Sequence, residues 1–447
     1  MRNRLQFIIL IAFIIIGFPL SHVQKDCFSA YRVVIDPGHG GIFHKNKDKY
    51  GDRYDVISKK YLSYFAEGAH YKGLYEHKIV YSIAKKVEKL LSHCSESGDF
   101  SKFKKILNKY SKSDHKKIII ETKMSRKASV ERAAAKKISD PNGPYRLYDF
   151  PDKKGELLKG RISKINQFKP HLVVSIHCAK TAPPDYVGMN AVVVPPYNVL
   201  KNGLDNLKKG NIVSPSSSWS MNSWFRGRRG MSRKRAFYED VVLYFTGFGL
   251  QRNYKTDRDN FRGYRYNMVH WNYADKENWF KKAKEHKKNT RYGEYKYFKP
   301  EGKIWARESS KYEGYRRGTG FNDFGGDNYY ASNEILKYIF TSLSKKGYKS
   351  KKKYAGKPFV SVWSVPLLVN AISAYIEIGY FDRKWDRKVM TRRHDEIAEG
   401  IAVGIYSLFA GMKDVKSPEY IKPKGKSIDF EKYQIGKDKT YFDLVVN

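Results

Sequence analysis

The sequence predicts an α/β fold: one layered mixed sheet flanked by helices, interrupted by a long, basic, aromatic-rich insertion. Three observations predict it. Short apolar runs suited to strands alternate with amphipathic stretches of helical period, and the same rhythm is heard near both ends of the chain. Between about 197 and 360 the rhythm breaks into a tract rich in Tyr, Arg and Lys, with no repeat of fixed period. At 447 residues the chain has room for two or three average domains, or for one domain carrying such an insertion.

The elements justify themselves in order. "MRNRLQFIILIAFIIIGFPLSH" sets Arg2 and Arg4 ahead of an apolar run that Pro19 closes, the pattern of a secretory signal over residues 1–26. An uncleaved N-terminal anchor is the alternative, because no clear small-residue cleavage site follows. "YRVVI" at 31–35 reads as a strand running into a turn of Asp, Pro and glycines with His39 at its tip. A long loop, about 42–72, precedes "EHKIVYSIAKKVEKLL", where Ile79, Ile83, Val87 and Leu90 form an apolar stripe and predict a helix near 76–93. Strands are expected near 117–121, 171–177, 190–195 and 372–378. Helices are expected near 127–139, 332–346 and 393–411, and a charged, loosely ordered tail over 412–447.

Charge limits the partners. The chain carries 86 Lys+Arg against 45 Asp+Glu, a formal charge of +41, so an anionic partner is expected. Tyr and Trp faces in the insertion could lie on sugar rings while Arg and Lys meet carboxylates or envelope phosphates. Export argues against nucleic acid despite "RGRRGMSRKR". Membrane contact is expected only through the N-terminal segment, and only if it is uncleaved.

The histidine at the tip of the first turn acquires a meaning from two other positions. Ligands in open α/β sheets gather beyond the carboxyl ends of strands, where His39 would stand, and "HLVVSIHCAK" delivers His177 in the same way. Glu76 opens the helix after "KGLY". Two histidines and a carboxylate from separate elements make the donor set that catalytic zinc uses. In order along the chain, "VVIDPGHGG", "YEHKIVYSIAKKVEKLL", "VVSIHCA" and "SAYIEIGYF" resemble the four motifs of the zinc-dependent N-acetylmuramoyl-L-alanine amidases of the Amidase_3 type. The likeness covers roughly 31–195 and 360–411, which places the catalytic domain at 27–411.

That resemblance implies one zinc ion on His39, Glu76 and His177, and Glu377 as the catalytic acid/base. It also aligns Arg132, in "SVERAAAKKI", with the family's arginine-bearing helix. It implies hydrolysis of the amide between the lactyl group of N-acetylmuramic acid and L-alanine in peptidoglycan, by a protein of the periplasm or cell envelope. The chain departs from the family pattern at Cys178–Ala179, where a small residue and Asn usually follow the histidine, and at Thr122–Lys123, where Thr–Arg is usual. A wall-binding or regulatory protein on an inactive amidase fold is the competing expectation.

Other conspicuous residues take ordinary roles. His44, His70, His77 and His93 are expected in polar loops or on helix surfaces, His171 beside the start of its strand, and His394 at the start of the last helix. Alternation turns Cys178 to the face opposite His177, away from the metal. Cys27 and Cys94 fall at the non-catalytic edge of the sheet, where an oxidising compartment could bridge them.

Overall fold

The computed structural model describes residues 30–42, 51, 54–55, 60–61, 65–127, 140, 142–181, 188–193, 324–348, 359–360, 365–369, 371–430, 434–436 and 439–440. In chain order its main elements are β1 (Tyr31–Pro37), the hairpin β2 (His70–Tyr71) and β3 (Leu74–Tyr75), α1 (Glu76–Leu91), α2 (Phe100–Leu107) and β4 (Ile120–Met124). They continue with α3 (Arg161–Phe168), β5 (Leu172–Ala179), β6 (Asn190–Val193), α4 (Phe324–Lys345), β7 (Phe359–Val360), β8 (Ile372–Tyr380), α5 (Lys384–Arg392) and α6 (His394–Ala410).

Six strands form one sheet in the order β7-β6-β8-β5-β1-β4. β5 runs parallel to both β1 and β8, β4 is parallel to β1, and β6 is antiparallel to β8. The sheet is therefore mixed, with helices on its faces, as expected. The inner strands are apolar on both faces because both are covered. Val33 and Ile35 of β1, with Leu172, Val174 and Ile176 of β5 and Ile372, Ala374 and Ile376 of β8, join the large core that includes buried residues of α1, α4 and α6. Val34 and Val173 face the other way, onto Ile165 of α3.

The helical stripe of α1 is Ile79, Val80, Ile83, Ala84, Val87 and Leu91; Leu90 is only partly buried. The stripe rotates to Leu91 because 3.6 residues per turn carries the face from 87 to 91. β4 begins three residues later than expected, since a strand needs a partner and β1 starts opposite Ile120, with Tyr31 N–H bonded to the carbonyl of Ile119 at 2.9 Å. Thr122 and Lys123 thus lie inside the strand. The expected helix over 127–139, with Arg132, lies outside the described residues, as does most of the insertion.

Two segments behave unlike their expectation. α4 falls in the stretch read as inserted, yet it packs on β8 and α6 as a regular layer and puts Ile335, Ile339 and Leu343 fully into the core. Gly400 of α6 makes that contact possible: a Cβ there would stand 2.4 Å from the Cα of Ile339. The tail is not loose over 412–430. Ile428 N–H bonds the carbonyl of Leu408 at 2.8 Å, Phe430 packs on Phe409 and Tyr31, and the Glu334 carboxylate of α4 accepts from Gly425 N–H at 2.6 Å. Apolar residues spaced among the lysines, Met412, Val415, Ile421, Ile428 and Phe430, supply the burial, each worth about 1.5–3 kcal/mol for a large side chain.

Cys94 is a buried free thiol whose pKa burial pushes up to about 12, and Cys27 lies outside the described residues. Among the described residues no helix is long and apolar enough to cross a membrane; the N-terminal apolar run is not among them.

Candidate metal centre

Three loops and strand ends meet at the carboxyl end of the sheet. β1 ends at Pro37 and the chain turns sharply, with His39 itself left-handed at φ 54° and Gly40 and Gly41 at φ 119° and 87°. Gly38 serves a different purpose from the one its position suggests. A Cβ on Gly38 would lie 2.2 Å from the His177 ring, so the glycine makes room for the second histidine. The other face of that ring stacks on Tyr375, with centroids 4.2 Å apart and planes within 11°.

Strand pairing sets the fourth residue beside the second. Glu377 of β8 lies opposite His177 of β5, and on its other side opposite Asn190 of β6. Both side chains share the parity of Val173 and Tyr375, while Cys178 points into the large core, as alternation requires. Glu76 arrives from α1. Its N–H bonds the carbonyl of Ala69 at 2.9 Å while its Oε2 accepts from Ala69 N–H at 2.7 Å, a reciprocal pair that fixes the first turn of the helix in place of an ordinary cap.

The structure brings His39, Glu76 and His177 together, with ligand atoms all within 4.8 Å of one another. His177 Nδ1 stands 3.1 Å and His39 Nε2 3.8 Å from Glu76 Oε1, which also accepts from Cys178 N–H at 3.0 Å. His39 Nδ1 lies 3.0 Å from the carbonyl of Ala66, which orients its ring. Burial opposes charge on Glu76, but the His39 ring and the bonds from His177 and Ala69 outweigh it and hold the carboxyl well below its usual range. Burial keeps His177 neutral, with its pKa lowered. Burial and the neighbouring Glu76 carboxylate push Glu377 well above the usual carboxylate range.

These residues fit a metal ion. Among the described residues no lysine or arginine pairs with the buried Glu76, and His177 Nε2 is buried without a hydrogen-bond partner. Two neutral-capable imidazoles around one ionised carboxylate form a donor set of net charge −1, which a dication completes. Glu377 Oε2 is likewise buried and unpartnered, next to this group and outside it.

A second layer of residues was not evident from the sequence. Buried Asp36 accepts from Ser175 Oγ at 2.6 Å, from Arg161 at 3.1 Å and from Ser125 Oγ. Arg161 also donates to the carbonyl of Pro37 at 2.9 Å, and Arg126 reaches the carbonyls of Pro37, Gly38 and His77. Two guanidiniums thereby pin the turn that carries His39 and tie it to α1. Asn142 pins its far side through both backbone groups of Ile42. The only sequence signal was Asp36 inside "DPGHGG"; no sequence pattern marks Arg126 or Arg161. Two other histidines among the described residues take structural parts: His171 accepts from Arg32 N–H at 2.9 Å, and His394 opens α6 beside Ser82.

A mixed sheet with a His–Glu–His group that could hold a metal and a separate half-buried glutamate at its carboxyl end is an arrangement suited to a metal-assisted hydrolase. The profile of the Amidase_3 family, N-acetylmuramoyl-L-alanine amidase, matches residues 33–407, and the chain belongs to that family. No curated protein sequence matches it. Among solved structures it is similar to the N-acetylmuramyl-L-alanine amidase Ami1 from Mycobacterium smegmatis, with 13% identity, 84% of this chain and 94% of that one covered, and a TM-score of 0.33. The N-acetylmuramoyl-L-alanine amidase of Clostridium difficile 630 is similar at 13% identity, with 85% and 97% covered and a TM-score of 0.29.

Proposed function

We propose that this chain is an exported peptidoglycan amidase that cleaves the bond between N-acetylmuramic acid and L-alanine, using one zinc ion held by His39, Glu76 and His177. The observation that carries the reading is the pairing of Glu377 with His177 across adjacent strands, each with a buried side-chain atom lacking a partner. A bound zinc ion would supply Lewis acidity, lowering the pKa of water from 15.7 towards about 7 and polarising the amide carbonyl.

The residues of the chain do the rest. The Ala66 carbonyl and the stacked Tyr375 hold the two imidazoles in orientation. Glu377 takes the proton of the attacking water and delivers it to the departing L-alanine nitrogen. The Asp36, Arg126 and Arg161 network keeps the His39 turn rigid, so that the donors need no rearrangement. Peptidoglycan is the substrate, other anionic envelope polymers are secondary ligands of the basic surface, and the site of action is the periplasm or cell envelope.

The test is a split between two kinds of variant. Glu377→Gln should keep one zinc per chain and lose activity on a muramyl peptide by about 10²–10⁴-fold, as removal of a general base does. His39→Ala and His177→Ala should lose metal as well as activity. Full activity of Glu377→Gln, or a full zinc complement in both histidine variants, would sink the assignment.

A further inference from the structure

A groove of about 1190 Å³ opens between the β2–β3 hairpin, α5 and Gly188, just ahead of β6. Its walls adjoin α1 and β8, two of the elements that carry the site, and β6 beside them. Leu74 is two residues ahead of Glu76, Gly188 two ahead of Asn190, which pairs with Glu377, and Arg383 follows β8 directly into α5. The groove is strongly positive. Lys72, Lys384, Lys388 and Arg392 are exposed on it, and among the described residues none of them forms an ion pair.

The rest of the wall explains why this charge stays available. Asp386 is the one acid on it, and it is buried, turned inward to accept from Tyr380 N–H at 3.0 Å. Arg387 is already engaged, its guanidinium 5.0 Å over the Tyr71 ring and bonded to the carbonyl of Phe381. Lys384, Lys388 and Arg392 remain as an i, i+4, i+8 row on one side of α5, with charges repeating about every 6 Å along the helix. In an extended peptide, side chains on one side repeat at about 6.6 Å. The two periods match over three positions.

We propose that this groove binds the carboxylate-bearing peptide on the leaving side of the scissile bond, an extended acidic peptide laid along α5 with its carboxylates on Lys384, Lys388 and Arg392. The proposal rests on the amidase reading for the identity of that peptide. The groove then sets substrate preference by charge: stems with free carboxylates bind, and stems whose carboxylates are amidated bind weakly.

The experiment compares the full chain with the triple variant Lys384→Gln, Lys388→Gln, Arg392→Gln on two muramyl peptides, one with free stem carboxylates and one with carboxamides. For the free acid, KM should rise about tenfold in the variant with kcat within twofold, because rim charges act mainly on association. For the carboxamide, KM should not move. Equilibrium binding of the labelled free-acid peptide, without the muramyl group, should fall by the same factor and weaken with salt. Equal KM changes for both substrates, or none, would overturn the proposal. So would loss of inorganic polyphosphate binding with both peptides unaffected, which would assign the groove to phosphate polymers. Charge-selective peptide binding without any turnover by the wild type would leave the groove standing and remove the amidase reading.

Discussion

Gly38 carries more of the site than its missing side chain suggests. Any Cβ there must displace the His177 ring, so Gly38→Ala should lower zinc affinity by about 10–100-fold, as loss of a ligand-orienting contact does, with little change in far-UV circular dichroism. Competition with a fluorescent chelator measures it; unchanged affinity would show that the ring has room to move. Asp36 contributes to stability through charge. Burial alone would raise its carboxyl, but Arg161, Ser125 and Ser175 outweigh burial and bring it below the ordinary 3.8. Its folded value being depressed, the stability it supplies is complete above 3.8 and is lost as pH falls through the folded value. Asp36→Ala leaves the Arg161 charge unpaired and should cost about 3–5 kcal/mol at neutral pH. Denaturant melts should show the gap between wild type and variant closing in strong acid, and a gap that stays constant would contradict the network. His39, Glu76 and His177 were legible because each stands near the end or the start of an apolar stretch, and Glu377 because it is a charge inside one, where a polar residue is conspicuous. Arg126 was not, because an arginine that bonds backbone carbonyls leaves no partner residue in the sequence to mark it, and Arg161 was not, because its partner Asp36 lies 125 residues away.

At the scale of elements, what could be read was the alternation of apolar runs, and what could not was pairing. β4 starts where β1 gives it a partner, three residues past the start of "KIII", and no local pattern encodes that. α2, α3 and α5 escaped notice because each is short, eight or nine residues, and gives too few turns for a periodic stripe. The segment 412–430 escaped for another reason. Its apolar residues are spread among lysines, so its average reads as a charged tail, yet Phe430 completes an aromatic group with Tyr31 and Phe409. Truncation after Gly411 should therefore lower the thermal midpoint markedly, since it uncovers Tyr31 at the root of β1, and calorimetry on the truncated chain should show a loss of several degrees. A midpoint equal to that of the full chain would mean that the segment only rests on the surface.

For the whole molecule, the boundary between catalytic domain and insertion decides what can be removed. α4 belongs to the layer over β8, where Gly400 of α6 approaches it most closely, so a deletion running through 345 should yield insoluble protein. Replacing only about 205–320 with a short linker should preserve the fold and zinc binding. Circular dichroism and metal content on the two deletions separate the cases, and a folded, zinc-loaded protein lacking α4 would contradict the layer assignment. The formal charge of +41 acts at this scale too: binding to isolated sacculi should weaken as salt rises from about 0.05 to 0.5 M, because screening shortens the reach of exposed charges.

In the proposed reaction, one metal-loaded His–Glu–His centre with Glu377 cleaves a single kind of amide bond. Mass spectrometry of purified sacculi digested with the full-length protein tests it most directly, with and without a chelator and after return of one equivalent of zinc. The expected products are free stem peptides beginning at an unmodified L-alanine amine and intact glycan chains, with no release in chelator and restored release with zinc. Cuts inside the glycan or the peptide, or the same release in the presence of chelator, would contradict it.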